Sequence, residues 1–419
     1  MDGWTIVRFA HAYESGGGLE QYLADVNLAL GQRNRMTIVQ MQMTTDHSRL
    51  QESTETIGDS HLVKIPLYVA PESKHESINS APPRPWEHCK AAVYKKLLFT
   101  APVFGLFTRA ALKQWQVPRR SGEPDNAGAR FQEILGRFPV KLVLLHTGGG
   151  ADTSEILAAA KRAKVPAAIV HHFANERFQT PALARQTMEA GAIGGVTGVG
   201  VPGFLRGRFT NLADGIDIIF FQRQNARPVT PKPAEPVLFL PARIMATKGQ
   251  FDLVRAGGEL LRQGMKFQIA FAGRVDSDEF LALLKREIAA AGLSDRVVFV
   301  GQLDAAGLRD WYAASAILAF PTRHHEGLPR ILLEAQAMQL PVVVNDIGGT
   351  SEGLIDGQSG YLVSVGDQQG LVARLGRLLR DADQCRQFGV AGRKLVESRF
   401  SLESLADRHE NFYDRAVTS

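Results

Sequence analysis

Short apolar runs alternate with longer amphipathic stretches in the first part of the chain, a pattern typical of parallel strands joined by helices. The runs "WTIVRFA", "MTIVQMQM", "VKLVLLH" and "AAIVHHF" predict buried strands, and "GGLEQYLADVNLALGQRN" and "TSEILAAAKRAK" predict helices between them. Residues 49–135 interrupt this alternation with proline-rich and glycine-rich segments, which predict loops around basic helices.

A second alternation begins after residues 226–236, whose four prolines indicate a linker. Strands are predicted at "VLFLPAR", "KFQIAFAG", "RVVFVG", "AILAFP" and "PVVVND". Helices are predicted over 250–263, 277–291 and 304–315, and from Pro329 onward. Two such sets predict an α/β protein with two doubly wound domains facing across a cleft, where ligands bind beyond the carboxyl ends of the strands.

Composition indicates an ordinary globular protein, since 419 residues with 45% apolar content can fill two large cores. No apolar run reaches the roughly 20 residues that cross a bilayer, and the start "MDGWTIVRFAHAYE" lacks the pattern of an export signal. Cys89 and Cys385 fit no metal-ligand or redox spacing, so we expect two reduced thiols in a cytoplasmic protein.

The net charge of +5 is concentrated in one segment. Between Arg84 and Lys141 there are 11 Lys or Arg against 4 Asp or Glu, which leaves about −2 for the remainder. One interpretation is a pair of packed helices with solvated basic faces. A sharper interpretation is a patch that contacts an anionic membrane, because basic residues flank an apolar stretch from Leu97 to Phe107. Nucleic acid is a weaker candidate as the partner of this segment, since the segment has no recognisable nucleic-acid-binding motif.

The stretch "RHHEGLPRILLEAQAMQLPVVVNDIGG" carries two carboxylates around the start of a helix. Pro329 suits the first helical position, which puts Glu326 in the preceding loop and Glu334 near the second turn. A helix N-terminus attracts phosphate, and flanking carboxylates accept hydrogen bonds from hydroxyls. The pattern therefore fits a nucleotide sugar, with two solvated acids as the alternative interpretation.

Several segments in the same order resemble the retaining glycosyltransferase family 4, whose members have the GT-B fold. The E-x7-E motif corresponds to "HEGLPRILLEAQAMQLPVVVNDIGGTSE". Other similar segments are "ESGGGLEQYLADVNLAL", "NLADGIDIIFF", "PARIMATKGQFDLVRA", "VVFVGQLD" and "FSLESLADRHENFYDRA". The resemblance implies two Rossmann-like domains, with residues 1–215 binding the acceptor and 237–400 binding the donor. It also implies a linker over 216–236 and a last helix over 401–419 that crosses back. The charge distribution adds a basic helical insertion near 84–141 to the first of these domains.

The resemblance also implies roles for individual residues. Arg243 and Lys248 would neutralise the leaving diphosphate in place of a metal. Glu334 would bind the ribose hydroxyls and Glu326 the donor sugar. The full donor-binding set implied is Gly17, Gly18, Arg243, Lys248, Val300, Gly327, Leu328, Arg330 and Glu334. Arg330 enters it because the proline that follows Leu328 removes one backbone N–H donor.

Histidines at two predicted strand ends are further candidates. His172 fits best the family's histidine that contacts the donor sugar, although the adjacent His171 makes the choice uncertain. His146 ends "VKLVLLH" and is a candidate for the acceptor side, as are Asn175 and Arg177. Structural roles for these side chains are the alternative.

The sequence Asp276-Ser277-Asp278 spells the DxD metal motif of another transferase fold. It follows a predicted strand and opens a predicted helix, so a helix N-cap is the better interpretation. We therefore expect no metal and no cofactor beyond the nucleoside diphosphate sugar, which is a co-substrate.

Together these features predict a hexosyltransferase that moves a hexosyl unit from a UDP- or GDP-sugar to a saccharide, with retention. The basic segment favours an acceptor linked to polyprenyl diphosphate at the inner face of the cell membrane, in exopolysaccharide or O-antigen assembly. Two alternatives remain. One is a UDP-N-acetylhexosamine epimerase of the same architecture, and the other is a non-catalytic nucleotide-sugar-binding protein.

Overall fold

The computed structural model describes residues 1–10, 18–44, 52–68, 127–146, 151–172, 181–201 and 205–418. Cys89, Gly17, Asn175, Arg177 and most of the basic segment lie outside these ranges. The chain forms two compact units, one of Met1–Ala213 with Leu405–Ser419 and one of Asp214–Ser404.

The first unit is built around a largely parallel sheet. Its strands are β1 Thr5–Ala10, β2 Thr37–Thr44, β3 Ser53–Ile57, β4 Ser60–Tyr68, β5 Val140–His146, β6 Ala167–His171, β7 Ala192–Gly195 and β8 Phe209–Asn211. They lie in the order β3-β4-β2-β1-β5-β6-β7-β8, and β3 pairs antiparallel with β4. Helices described in this unit are α1 Gly18–Gly31, α2 Ala127–Arg137, α3 Ala151–Arg162 and α4 Pro181–Glu189.

Alternate residues of the central strands face opposite sides of this sheet. Val7 of β1 belongs to a core cluster that includes Phe131 of α2. Arg8, its neighbour, faces the other side, where its guanidinium donates to Asn27 Oδ1 of α1 at 2.6 Å. The strands thus have one apolar face and one face that contains buried polar groups.

Four strands in this unit, β3, β4, β7 and β8, were not predicted. β3 and β4 lie within residues 49–135, where the sequence pattern predicts loops around basic helices, and residues 127–135 of that stretch belong to α2. Most residues of β3 are exposed, so the strand has no apolar periodicity to reveal it. Its hydrogen bonds to β4 stabilise it at the edge of the sheet.

The second unit contains a fully parallel sheet. Its strands are β9 Val237–Pro241, β10 Gln268–Ala272, β11 Val297–Gly301, β12 Ile317–Phe320, β13 Val342–Asn345 and β14 Gly360–Val363, in the order β11-β10-β9-β12-β13-β14. Its helices are α5 Gln250–Arg262, α6 Asp278–Ala290, α7 Ala305–Ala314, α8 Arg330–Ala337, α9 Gln368–Arg380 and α10 Ala382–Arg399. Every strand and helix predicted over 237–346 is confirmed, with ends that differ by at most two residues.

The last helix, α11 Leu402–Thr418, packs against the first unit from residue 405 onward. Leu405, His409, Phe412 and Ala416 are buried and recur at a spacing of three or four residues, which places them on one face. In the described ranges, no helix combines the length and the low polarity needed to span a membrane.

Candidate functional site

Lys248 and Glu326 meet beyond the carboxyl ends of two neighbouring strands. Lys248 ends a short 3-10 helix, Ala246–Lys248, after β9, and Glu326 lies in the loop after β12, which pairs with β9. Lys248 Nζ lies 2.6 Å from Glu326 Oε1, and the side chains are 14% and 16% exposed. The structure therefore joins two predicted donor-site residues in one partly buried ion pair. A hydrogen bond between two charged groups, as here, is stronger than one between neutral groups.

The backbone of Glu326 is held by the segment after β13. Gly349 N–H donates to Glu326 O at 3.0 Å. Gly348 adopts a φ of +59°, and a Cβ there would lie 2.2 Å from Glu326 O. Glycine at this position is what allows the two segments to approach so closely.

Glu334 lies in the second turn of α8, as predicted, and is buried. Tyr312 O–H donates to Glu334 Oε2 at 3.0 Å, while Arg330 Nε lies 3.7 Å from Oε1. Burial raises the pKa of Glu334, and the charge of Arg330 opposes that shift. The prediction for Pro329 was wrong by one position, because Pro329 is the N-cap and Arg330 is the first helical residue.

Arg330 also contacts the segment that begins the second unit. Its Nη1 lies 3.0 Å from Asp214 Oδ1 and donates to Gly215 O at 3.2 Å. The side chain is 15% exposed. Arg330 thus bridges Asp214 and Glu334, and the expected contact with a donor phosphate stays a prediction.

Arg243 follows β9, and its guanidinium is half exposed. Its Nη1 lies 3.4 Å from Asp276 Oδ1, and its carbonyl oxygen accepts from Gln250 Nε2 at 2.9 Å. Ser277 is the N-cap of α6 and accepts from Phe280 N–H, which confirms the helix-cap interpretation of this motif. Within the described residues, no group of three or more His, Cys, Asp or Glu is arranged to hold a metal.

The remaining donor-side candidates have simpler surroundings. Val300 is partly exposed on β11, the edge strand of its sheet. Gly327 precedes Leu328, whose side chain is buried, so only the backbone of Leu328 is suited to contact a ligand. Gly18 is the first residue of α1, and the preceding Gly17 lies outside the described residues.

The first unit brings two predicted histidines together. His146 Nδ1 at the end of β5 lies 2.8 Å from His172 Nε2, just after β6. Tyr22 of α1 packs edge-on against His172, with ring centroids 4.8 Å apart. His171 Nε2 lies 3.5 Å from Thr187 Oγ1 of α4. The two members of the doublet therefore have different neighbours, and His172 is the one joined to His146.

Burial favours the neutral forms of His146 and His172. Burial lowers the pKa of His172 to about 3 and lowers that of His146 well below its ordinary value, with smaller effects from neighbouring charges that include Arg8. A neutral imidazole pair shares one N–H donor between the two facing nitrogens. The pair is suited to orient a polar ligand rather than to carry charge.

Sequence reasoning missed several residues of these clusters. In the first unit they are Arg8, Tyr22 and His409, and in the second unit they are Asp252, Tyr312, Thr322 and Arg323. A charged residue inside the apolar run "TIVRFA" was the available signal for Arg8. The partners of Arg323 and Tyr312 are distant in sequence, so no local pattern marks them.

The fold is that of a known class. The solved structure of Anabaena Alr3699/HepE in complex with UDP has a TM-score of 0.65 and 15% identity to this chain, over 97% of this chain and 98% of that one. The likeness confirms the predicted GT-B fold class, with two Rossmann-like domains.

Residues 222–395 match the family described as Glycosyl transferases group 1. The lipopolysaccharide core biosynthesis mannosyltransferase LpcC of Rhizobium leguminosarum bv. viciae is 29% identical over 206 residues, 48% of this chain and 58% of LpcC. A GDP-mannose-dependent alpha-(1-6)-phosphatidylinositol monomannoside mannosyltransferase of Mycolicibacterium smegmatis is 33% identical over 164 residues, 38% of this chain and 42% of that enzyme. The chain thus spans about half the length of these curated relatives.

Proposed function

We propose that this protein is a retaining glycosyltransferase that moves a hexosyl unit from a UDP- or GDP-sugar to a saccharide acceptor. The observation that carries the proposal is the Lys248–Glu326 pair, followed eight residues later by the buried Glu334. This set supplies a cation for a diphosphate and two carboxylates for hydroxyl groups. It also lies beyond the carboxyl ends of parallel strands, where such sheets bind ligands.

In the proposed reaction, the bond between the anomeric carbon and the diphosphate oxygen breaks, and its electron pair stays on the diphosphate. The acceptor hydroxyl attacks from the same face and gives its proton to the departing phosphate oxygen. Arg243, Lys248 and the N-terminus of α8 stabilise the charge that develops on the leaving group. Glu326 and the neutral His172 orient the donor sugar, and no protein nucleophile takes part.

The same cations make a metal unnecessary in this proposal, because two positive side chains stabilise the leaving diphosphate. We expect full activity in the presence of a chelator. Loss of activity with chelator and its return with manganese would contradict this part of the proposal.

The names of the relatives guide the choice of substrates. One relative is named as GDP-mannose-dependent, and the solved Anabaena structure contains UDP, so both nucleotides belong in the first binding panel. The two relatives are named for lipopolysaccharide core and for phosphatidylinositol mannoside. We propose a lipid-linked saccharide acceptor in surface-polysaccharide assembly, with the enzyme cytoplasmic and peripheral on an anionic membrane.

The proposed domain roles follow the expected division. Residues 1–215 bind the acceptor through His146, His171, Asn175 and Arg177, and residues 237–400 bind the donor. Residues 216–236 link the two domains, and the helix over 401–419 returns to the first. Equal activity on a short free saccharide, without liposome binding, would contradict the lipid-linked acceptor.

Calorimetry with UDP, GDP, TDP and their common sugars tests the donor site. We expect one nucleotide to bind the wild type and binding to be lost in Lys248→Ala and Glu334→Ala. Lys266→Ala is the matched control, because Lys266 is exposed just before β10. If no nucleotide binds the wild type, the donor site is wrong; if product forms from the donor without an acceptor, the enzyme is an epimerase.

A further inference from the structure

The loops after β9 and β12, which carry the two halves of the ion pair described above, are joined by backbone contacts. Arg323 N–H donates to Thr247 O at 2.8 Å. Gly249 has a φ of +85°, and a Cβ at that position would lie 2.2 Å from Pro321 O. The two loops therefore touch without intervening side chains, and each limits the movement of the other.

Thr322 adds a side-chain contact directly to the carboxylate of the ion pair. Its buried Oγ1 lies 3.2 Å from Glu326 Oε1 and 3.2 Å from Thr247 O, and it accepts from His324 N–H at 3.1 Å. Glu326 Oε1 is also the oxygen that contacts Lys248. The buried hydroxyl of Thr322 is thus placed to hold the same oxygen that contacts Lys248.

Arg323 fastens the same loop to the first turn of α5. Its Nε donates to Asp252 Oδ2 at 2.7 Å, and its Nη2 donates to Asp252 Oδ1 at 2.8 Å. Asp252 is the third residue of α5, which begins directly after the loop that carries Lys248. Two parallel hydrogen bonds fix the angle of the guanidinium as well as its distance, so this contact resists rotation of one loop against the other.

We propose that Thr322 and Arg323 are positioning residues that hold Lys248 and Glu326 in their reactive arrangement. This inference rests on the proposed function. Loop residues place reactive groups less accurately than helices or strands do, unless supporting contacts fix them. Thr322 fixes the carboxylate, and the Arg323–Asp252 contact fixes the two loops as one body.

Kinetics of four variants test the proposal. We expect Arg323→Ala and Asp252→Ala to lower kcat about tenfold or more while the donor KM changes less than about threefold, since a displacement near 1 Å is costly in the transition state. The exchange Arg323→Asp with Asp252→Arg should return kcat to within about threefold of the wild type, because it rebuilds the contact with the partners reversed. Arg255→Ala is the control, since Arg255 of α5 pairs with Glu287 instead.

The same variants separate positioning from direct binding. If Arg323 instead held the donor phosphate, Arg323→Ala would raise the donor KM, Asp252→Ala would leave kcat unchanged, and the exchanged pair would stay inactive. That pattern would overturn the proposal. Thr322→Val should likewise lower kcat, with Thr322→Ser close to the wild type; equal kcat in all three proteins would overturn the role of Thr322.

Hydrogen exchange provides a measurement that does not depend on the reaction. We expect amides of residues 243–249 to exchange faster in Arg323→Ala and Asp252→Ala than in the wild type, and at the wild-type rate in Arg255→Ala. Unchanged exchange in the first two variants would overturn the proposed contact between the loops. Failure of the wild type to bind any nucleotide would instead count against the proposed function, whatever the exchange rates are.

Discussion

Tyr312 donates a hydrogen bond to Glu334 across 3.0 Å, and both side chains are buried. Tyr312 lies in the last turn of α7, and its ring packs edge-on against Phe239 of β9, with centroids 5.5 Å apart. The ring is therefore held in place, and its hydroxyl meets the carboxylate from a fixed direction. One oxygen of Glu334 is engaged by Tyr312 and the other faces Arg330.

The first prediction concerns this hydrogen bond. Tyr312→Phe should weaken nucleotide binding about tenfold, because a hydrogen bond to a charged group contributes about 1.5 to 3 kcal/mol. Calorimetry with the nucleotide that binds the wild type measures the change. Tyr361→Phe is the control, since the Tyr361 hydroxyl is bonded to the uncharged Gln384. Unchanged affinity in Tyr312→Phe would show that the hydroxyl does not orient Glu334 for binding.

The second prediction concerns pH. Burial raises the pKa of Glu334 above its ordinary value of 4.5. Because the folded protein holds this proton more tightly than the unfolded chain, the contribution of Glu334 to stability is present below about pH 4.5 and is lost as pH rises through the raised pKa. In the proposed donor site the ionised carboxylate of Glu334 is a stronger acceptor for ribose hydroxyls than the protonated form, so nucleotide affinity should increase over the same pH range.

Melting temperature and nucleotide affinity are measured from about pH 4.5 to neutrality. With rising pH, the contribution of Glu334 to stability should fall and the nucleotide affinity should rise. In Glu334→Gln the group no longer titrates, so both dependences should be smaller than in the wild type. A wild-type affinity that stays constant over this range would contradict the prediction, as would an affinity that falls with rising pH.

The sequence predicted the secondary structure of the second unit more completely than that of the first. The strands over 237–346 are apolar runs, buried except for the partly exposed edge strand β11, and the sequence pattern located them within two residues. β3 has mostly exposed residues and depends on its pairing with β4, which periodicity does not report. Pro329 satisfies the rule for the first helical position, and only the backbone geometry shows that it is the N-cap instead.

Contacts between distant residues were the least predictable part of the candidate site. Lys248 and Glu326 were both expected in a donor site from the family resemblance, but their contact requires that β9 and β12 be neighbours. The Arg323–Asp252 contact depends on the same strand order, and nothing near either residue in the sequence marks it. Residue types indicated the chemistry, whereas the sheet topology determined which groups meet.

The third prediction concerns the glycine that supports Glu326. Gly348→Ala should lower kcat by about tenfold or more, because the new Cβ would displace the Glu326 backbone, from which it would lie 2.2 Å. Gly357→Ala is a matched control, since Gly357 also has a positive φ, +71°, but its Cβ would meet nothing within 4 Å. Both variants should lose about 1 kcal/mol of stability from the strained φ. Equal kcat in the two variants would contradict the role of Gly348.

The last prediction concerns His409 of α11, which joins the last helix to α1. Its Nδ1–H donates to Leu405 O at 2.8 Å, so its Nε2 accepts from the Tyr22 hydroxyl at 2.8 Å. Burial lowers the pKa of His409 from 6.5 to about 3. The neutral ring is therefore favoured in the folded protein, and its contribution to stability is present above pH 6.5 and is lost as pH falls from 6.5 towards 3.

Thermal unfolding of the wild type and His409→Gln, followed from neutrality down to about pH 5, tests whether stability falls with pH as predicted. The loss from one such group is up to about 1.4 kcal/mol per pH unit, so the wild type should lose more stability over this range than His409→Gln. His61→Gln is the control, since His61 is exposed and should leave the wild-type dependence intact. If His409→Gln and His61→Gln respond to acid alike, protonation of His409 does not account for the loss of stability in acid, which contradicts the prediction.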